Sequence, residues 1–84
     1  MVMDREARQI ARLSLLPARV ILDRSVQGRR GLIASLERIC QREHERGIAN
    51  HWAYDLARHR GLIKALEREQ AELAAMLGSD AKAA

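Results

Sequence analysis

Apolar residues recur at helical spacing along most of the chain, and most regularly between residues 50 and 77. A seam of positions there recurs in alternating steps of three and four residues, which predicts a long α-helix packed along one face. The seam consists of Ala49, Trp52, Leu56, His59, Ile63, Leu66, Gln70, Leu73 and Leu77. Asn50 belongs to the residue types that cap helix starts, and glycine commonly follows helix ends, so Asn50 and Gly78 are the predicted boundaries.

A second amphipathic pattern covers residues 28–46. Its apolar face is formed by Leu32, Ile33, Leu36, Ile39 and Cys40, which lie on one side of an α-helix. A turn before this helix is indicated by the sequence Gly28-Arg29-Arg30-Gly31. Gly47 indicates the end of the helix, because glycine readily adopts the left-handed conformation found there.

Only about three residues, 47–49, connect the two predicted helices, and connections this short join antiparallel neighbours. Residues 28–78 are therefore expected to form a helical hairpin. In the expected register, Arg42 lies opposite Asp55 and Cys40 lies opposite Ala57. The predicted core seam consists of Leu36, Ile39, Trp52, Leu56, Ile63 and Leu66.

Residues 1–27 form an N-terminal segment with a weaker helical pattern. Asp4 can cap a helix at its start, and Pro17 predicts a break near residues 14–17 because proline lacks a backbone donor. Residues 79–84 are small and polar and are expected to form a mobile tail. The prediction is an all-α fold, an antiparallel αα-hairpin with an additional N-terminal helical segment kinked or broken near Pro17.

A ridge of small residues lies away from the seam of the last helix. It consists of Ala53, Ala57, Gly61 and Ala65, at intervals of four. Glycine inside a helix costs about 1 kcal/mol relative to alanine, so a reason for Gly61 is expected. Small residues let another backbone approach closely. The first segment, a second subunit or a foreign helix could fill this helix-packing interface.

The amino-acid composition narrows the possible fold classes and cellular locations. The 84 residues contain no Phe and no Thr and only 2% aromatic residues, which argues against a β-sandwich or barrel. Cys40 is a single cysteine, which fits a reducing compartment. No apolar run is long enough for a membrane span, and the charged start lacks the apolar stretch of a signal peptide. A cytoplasmic location is expected.

Positive charge is concentrated near the start of the chain. Residues 1–30 carry seven arginines and three acidic residues, whereas the remainder is balanced, and the whole chain has a net charge of +4. Arginine suits bidentate contacts with carboxylates or phosphates. The candidates for contact with an acidic partner or with phosphates are Arg5, Arg8, Arg12, Arg29 and Arg30. No zinc finger or aromatic stacking platform accompanies them.

The chain offers little for catalysis or metal binding. Cys40 and His44 have a spacing that can bind metal, and His51, Asp55 and His59 follow on the next segment. The expected hairpin register spreads these side chains apart, so no tetrahedral site is predicted. No phosphate-binding loop or nucleophile motif is present. We expect no enzyme, no cofactor and no small-molecule substrate.

An internal repeat links the two predicted hairpin helices. Residues 30–38 match residues 60–68 at seven of nine positions. In an antiparallel hairpin, two such units are related by a pseudo-twofold axis, although a restricted helical alphabet can also produce this match by coincidence.

The segment from Leu56 to Glu67 resembles the second helix of small phage-encoded helical-hairpin proteins, which are often encoded among head and DNA-packaging genes. This resemblance covers residues 32–77 and does not include the arginine-rich N-terminal segment. It implies a structural or assembly component without catalytic residues, located in the virion. A weaker similarity is to the small hairpin co-chaperones of type III secretion.

These observations predict a non-enzymatic protein–protein interaction protein. The expected role is a structural or assembly subunit of a larger particle, with self-association through apolar faces. Two alternatives remain open at this point. One is a small basic regulator that binds nucleic acid, and the other is an inhibitor or chaperone that masks one specific protein partner.

Overall fold

The computed structural model describes residues 3–83, with side chains for residues 3–78. The chain forms four helices, which are α1 (Arg5–Ser14), α2 (Ala18–Leu22), α3 (Val26–Ile48) and α4 (Leu56–Ala83). The described residues contain no β-strand. This architecture confirms the predicted all-α hairpin with an N-terminal helical segment that is broken near Pro17.

The break between α1 and α2 has a local cause on each side. Asp4 caps α1 by accepting a hydrogen bond of 2.7 Å from the Ala7 backbone N–H. At the other end, Leu15 adopts a left-handed conformation with φ of 61°, and its N–H donates to the Ala11 carbonyl. Pro17 then stands immediately before α2. Proline disfavours helical conformation in the preceding residue, which is why the segment divides there.

Helix α3 begins two residues before the predicted segment, so the turn predicted at Gly28-Arg29-Arg30-Gly31 is wrong. Ser25 caps the helix by accepting a 3.0 Å hydrogen bond from the Gly28 N–H. Asp23 supports this cap by accepting hydrogen bonds from the Ser25 backbone and hydroxyl. These hydrogen bonds stabilise the carboxylate and lower the pKa of Asp23. A favourable cap here outweighs the cost of Gly28 and Gly31 in the first turns of the helix.

The loop between α3 and α4 is longer than predicted. Gly47 lies within α3, and Asn50 takes the left-handed conformation, with φ of 53°. Asn50 therefore does not cap α4. Instead, the Asp55 carboxylate accepts a 3.1 Å hydrogen bond from the Arg58 N–H at the start of that helix.

The predicted end of α4 at Gly78 is also wrong, because the helix continues to Ala83. Most of the predicted mobile tail is thus helical, and Ala84 lies outside the described residues.

Three of the helices lie side by side. Helix α4 runs antiparallel to α3, because Arg29 pairs with Glu69 and Glu43 pairs with Arg58. This register is displaced from the predicted pairing because the loop is longer. Helix α1 also runs antiparallel to α4, since Glu6 approaches Arg68 to 3.5 Å while the carbonyl of Leu13 accepts from Arg58. The molecule measures 50 × 28 × 17 Å.

The core draws on all four helices. Its buried apolar members are Ala7, Ile10, Ile21, Leu32, Leu36, Ile39, Leu62 and Ala65. Of the predicted seam, Leu36 and Ile39 are buried, and Leu66 is half-buried.

The rest of the predicted seam is wrong. Trp52, Leu56 and Ile63 are 91%, 51% and 37% exposed, respectively. Helix α4 instead turns Leu62, Ala65 and Glu69 inward, a rotation of one residue, or about 100° about the helix axis. Trp52 lies in the loop at the hairpin tip, because α4 begins only at Leu56, and it does not anchor the core.

Candidate interaction surfaces

The outer face of α4 carries a row of exposed apolar side chains. Leu56, Ile63 and Leu77 are separated by multiples of seven residues and are 51%, 37% and 38% exposed. We refer to these three residues as the α4 apolar row. Gln70 occupies the remaining position of the same repeat. A seven-residue repeat on an exposed helix face is the pattern through which helices pair with one another.

Two opposite charges lie along one side of this row. Arg60 and Glu67 are both exposed and stand seven residues apart on α4. Neither forms an ion pair with another side chain among residues 3–78. They lie on either side of Ile63 along the helix, so charge of both signs is available to a neighbour that contacts the row.

The loop end of the hairpin exposes further apolar surface. Trp52 stacks on His51 with ring centroids 5.5 Å apart, but the indole is otherwise open to solvent. Ile48, at the end of α3, is 75% exposed. Isolated exposed apolar residues are common on monomeric proteins, whereas several together indicate an interaction site.

The predicted ridge of small residues is divided between two environments. Ala53 lies in the loop and Ala57 in the first turn of α4, and both are exposed. Ala65 is buried in the core, and a Cβ atom added to Gly61 would lie 2.8 Å from the Leu13 side chain of α1. Helix α1 therefore fills the ridge at Gly61, so the first segment is one occupant of the predicted interface.

The arginines also separate into two groups. Arg5, Arg8 and Arg12 are exposed on α1, where they and Gln9 surround a shallow cavity of about 450 Å³. Arg30 is exposed on α3. By contrast, Arg29 is only 6% exposed, and its guanidinium pairs with Glu69 and Glu72. The prediction that Arg29 contacts a partner is therefore wrong.

A second buried ion-pair group was not predicted from the sequence. Glu43 is 2% exposed and pairs with Arg58 of α4 and with Arg46, the latter at 2.9 Å. Arg58 also donates a 2.9 Å hydrogen bond to the Leu13 carbonyl, which ties α1 to the hairpin. A signal for these charges does exist in the sequence. Arg29 and Glu43 continue the spacing of the apolar face of α3, three residues before Leu32 and four after Ile39.

The residues considered for metal binding have other contacts. The Tyr54 hydroxyl and His59 Nδ1 are hydrogen-bonded at 2.9 Å. Cys40 is half-buried against the core, and this burial raises the pKa of its thiol, which favours the unreactive protonated form. Within the described part of the chain, no three His, Cys, Asp or Glu side chains are grouped as metal ligands would be.

No helix in the described residues combines the length and the apolar character needed to cross a membrane. Comparisons with protein-family models, with curated proteins and with solved structures gave no match for this chain. Its function is therefore inferred from the surfaces described above.

Proposed function

We propose that this protein is a non-enzymatic interaction protein that pairs with a second copy of itself through the outer face of α4. Its role would be that of a structural or assembly subunit in a larger particle. The observation that carries this proposal is the α4 apolar row, which is exposed at regular intervals along the longest helix. The resemblance to phage hairpin proteins fits such a role, with a location in the cytoplasm or in the virion.

The charges beside the row favour a second copy as the partner. In an antiparallel pair of α4 helices related by a two-fold axis beside Ile63, Arg60 of one copy lies level with Glu67 of the other. The two residues stand about 5 to 6 Å from Ile63 along the axis, on opposite sides. A two-fold arrangement forms this ion pair twice and brings the two Ile63 side chains together.

The same arrangement brings further exposed apolar side chains into the contact. Leu77 lies about 21 Å from Ile63 along the helix, so it reaches the loop end of the other copy. Ile48 and Trp52 are exposed at that end. The pairing therefore accounts for the apolar row and for the loop surface with one symmetric contact.

The proposal is tested by measuring the molar mass in solution. We expect the wild-type protein to be dimeric by light scattering and sedimentation, and to remain so at high salt because the contact is mainly apolar. Ile63→Lys should yield a monomer, because it places two ammonium groups at the two-fold axis. The matched control is Gln41→Lys, which adds the same charge at an exposed position of α3 and should stay dimeric. Circular dichroism shows whether both variants keep their helices.

A charge exchange tests the orientation of the two helices. Arg60→Glu and Glu67→Arg should each weaken the dimer, and the variant with both changes should recover it, because the ion pair is restored with its signs exchanged. A wild-type protein that is monomeric at every concentration would overturn the proposal. Failure of the double variant to recover would overturn the antiparallel geometry.

A further inference from the structure

One exposed face of α1 carries three arginines and a glutamine. Glu6 is also exposed but approaches Arg68, and the exposed Leu15 lies just beyond the end of the helix. Arg5, Arg8 and Arg12 follow one another at three- and four-residue spacing, and Gln9 lies among them. All four side chains are exposed. We refer to them as the α1 basic face.

The positive charges of this face are close together, and no described carboxylate of the molecule neutralises them. Positive side chains three and four residues apart on a helix repel one another. The other charged residues near the start of α1 have partners, since Asp4 approaches Arg24 to 3.4 Å and Glu6 approaches Arg68 to 3.5 Å. No carboxylate with a described side chain pairs with the α1 basic face. Three arginines are therefore free to bind an external anion.

The helix that carries this face is held firmly in place. Ala7 and Ile10, on its opposite side, are 1% and 2% exposed. The Arg58 side chain holds the Leu13 carbonyl, and Leu13 packs over Gly61. The arginines therefore project from a fixed helix, so binding does not require the helix to become ordered first.

The composition of the face indicates the chemistry of its ligand. A protein partner generally needs an apolar centre in the contact, and a peripheral membrane helix needs apolar side chains to insert. The α1 basic face contains no apolar side chain, and Leu15 beyond the helix end adds one exposed apolar residue, which is too little for either contact. Contacts with phosphates need only charge and hydrogen-bond donors, which arginine and glutamine provide.

We propose that the α1 basic face binds the phosphate backbone of a nucleic-acid duplex, independently of base sequence. Arg5 and Arg12 are about 10 Å apart along the helix axis, close to three phosphate steps on one strand, each of which advances about 3.4 Å along the duplex axis. Each guanidinium can form two parallel hydrogen bonds with phosphate oxygens. This binding uses a different surface from the one proposed for dimer formation.

The test uses the full chain and a fluorescently labelled DNA duplex of 20 base pairs with arbitrary sequence. Fluorescence anisotropy gives the association constant over a series of salt concentrations. We expect the wild-type protein to bind at low salt, with affinity that falls steeply as salt rises. The variant Arg5→Ala/Arg8→Ala/Arg12→Ala should reduce the log–log salt slope by about 2.7, because each lost phosphate contact on DNA removes about 0.9.

A control variant removes equal charge from another cluster of exposed arginines. Arg19, Arg38 and Arg42 line adjoining grooves on α2 and α3 and can all be changed to alanine. We expect this variant to keep most of the salt slope. A single Arg8→Glu change should weaken binding more than Arg38→Glu, which separates the two surfaces with only one substitution each. Circular dichroism confirms that the variants remain folded.

Three results would overturn the proposal. One is the absence of duplex binding at low salt. Another is an equal loss of slope in the two triple variants, which would show that overall charge alone is responsible. The third is stronger competition by poly-L-glutamate than by unlabelled duplex at matched charge, which would show that the face prefers an acidic polypeptide.

Discussion

The helical glycines of this protein differ in whether a larger side chain would fit in their place. The atoms around each glycine show which ones can be replaced. A Cβ atom at Gly28 would collide with the carboxylate of Asp23, and one at Gly61 would press on Leu13. A Cβ atom at Gly31 would meet nothing within 4 Å. In the sequence, two glycines three residues apart indicate a turn. The tertiary contacts of Gly28 and Gly31 are not visible at that level. The helix forms through them because Ser25 caps it.

Replacing Gly31 by alanine should stabilise the protein, whereas the same change at Gly28 should destabilise it. Alanine restricts the unfolded chain and favours a helix, so Gly31→Ala should raise the free energy of unfolding by about 0.5–1 kcal/mol. Gly28→Ala receives the same benefit but pushes Asp23 away from its hydrogen bonds to Ser25. Urea denaturation of both variants measures the difference. Stabilisation of equal size at both positions would show that the Asp23–Ser25 cap is unimportant.

At the scale of helices, the pairing of α3 with α4 is set by charge as well as by apolar packing. At the loop end, α3 supplies Glu43 and α4 supplies Arg58, whereas at the other end α3 supplies Arg29 and α4 supplies Glu69. Helix α3 is therefore negative at the loop end and positive at the other end, and α4 carries the opposite sign at each. Only the antiparallel orientation pairs both sets of charges. A shift of one helical turn would leave these charges buried without partners, which is strongly unfavourable.

The existence and orientation of the hairpin could be predicted from the sequence, but the inner face of α4 could not. Its periodic pattern offered two adjacent seams, and the predicted one contained more apolar residues, including Ile63 and Leu77. The structure uses the neighbouring seam, which buries Leu62 and Ala65 and lets Glu69 and Arg58 reach their partners on α3. A prediction based on apolar residues alone places Glu69 on the surface. The predicted orientation of α4 is therefore rotated away from the observed one.

Removal of the buried carboxylate should destabilise the hairpin far more than removal of an exposed one. We expect Glu43→Ala to lower the free energy of unfolding by about 1–3 kcal/mol, because it leaves the partly buried Arg58 without its counter-charge. Glu37→Ala, at an exposed position of the same helix, should change it by less than about 0.5 kcal/mol. Both changes replace glutamate by alanine, so helix propensity is matched. Chemical denaturation provides the comparison, and similar values for the two variants would contradict a structural role for the ion pair.

At the scale of the whole molecule, the N-terminal segment is part of the core. Ile10 of α1 and Ile21 of α2 are 2% and 1% exposed, as deeply buried as Leu36 of the hairpin. A chain of this size buries only about 60–65% of its unfolded surface, so a two-helix hairpin alone is too small to be stable. The sequence does indicate that the hairpin needs covering. In the sequence, the arginines of α1 give a stronger signal than its three buried positions, Ala7, Ile10 and Ser14. For this reason the sequence alone suggests a separate basic arm.

This integration predicts that α1 and the hairpin unfold together. Ile10→Ala leaves a cavity in the core to which α1 contributes, and it should lower the free energy of unfolding by about 2–5 kcal/mol, within the range expected for Leu36→Ala. Both variants should melt in one transition, followed by circular dichroism, at temperatures well below that of the wild type. The control is Leu15→Ala, since Leu15 is 82% exposed at the end of the same helix and its removal leaves no cavity. If α1 were an independent arm, Ile10→Ala would leave the main transition unchanged, and only Leu36→Ala would move it. A similar fall in melting temperature in both variants would establish that α1 and α4 belong to one cooperative unit. The surface that carries the arginines and the outer surface of α4 are then held in place by the same core.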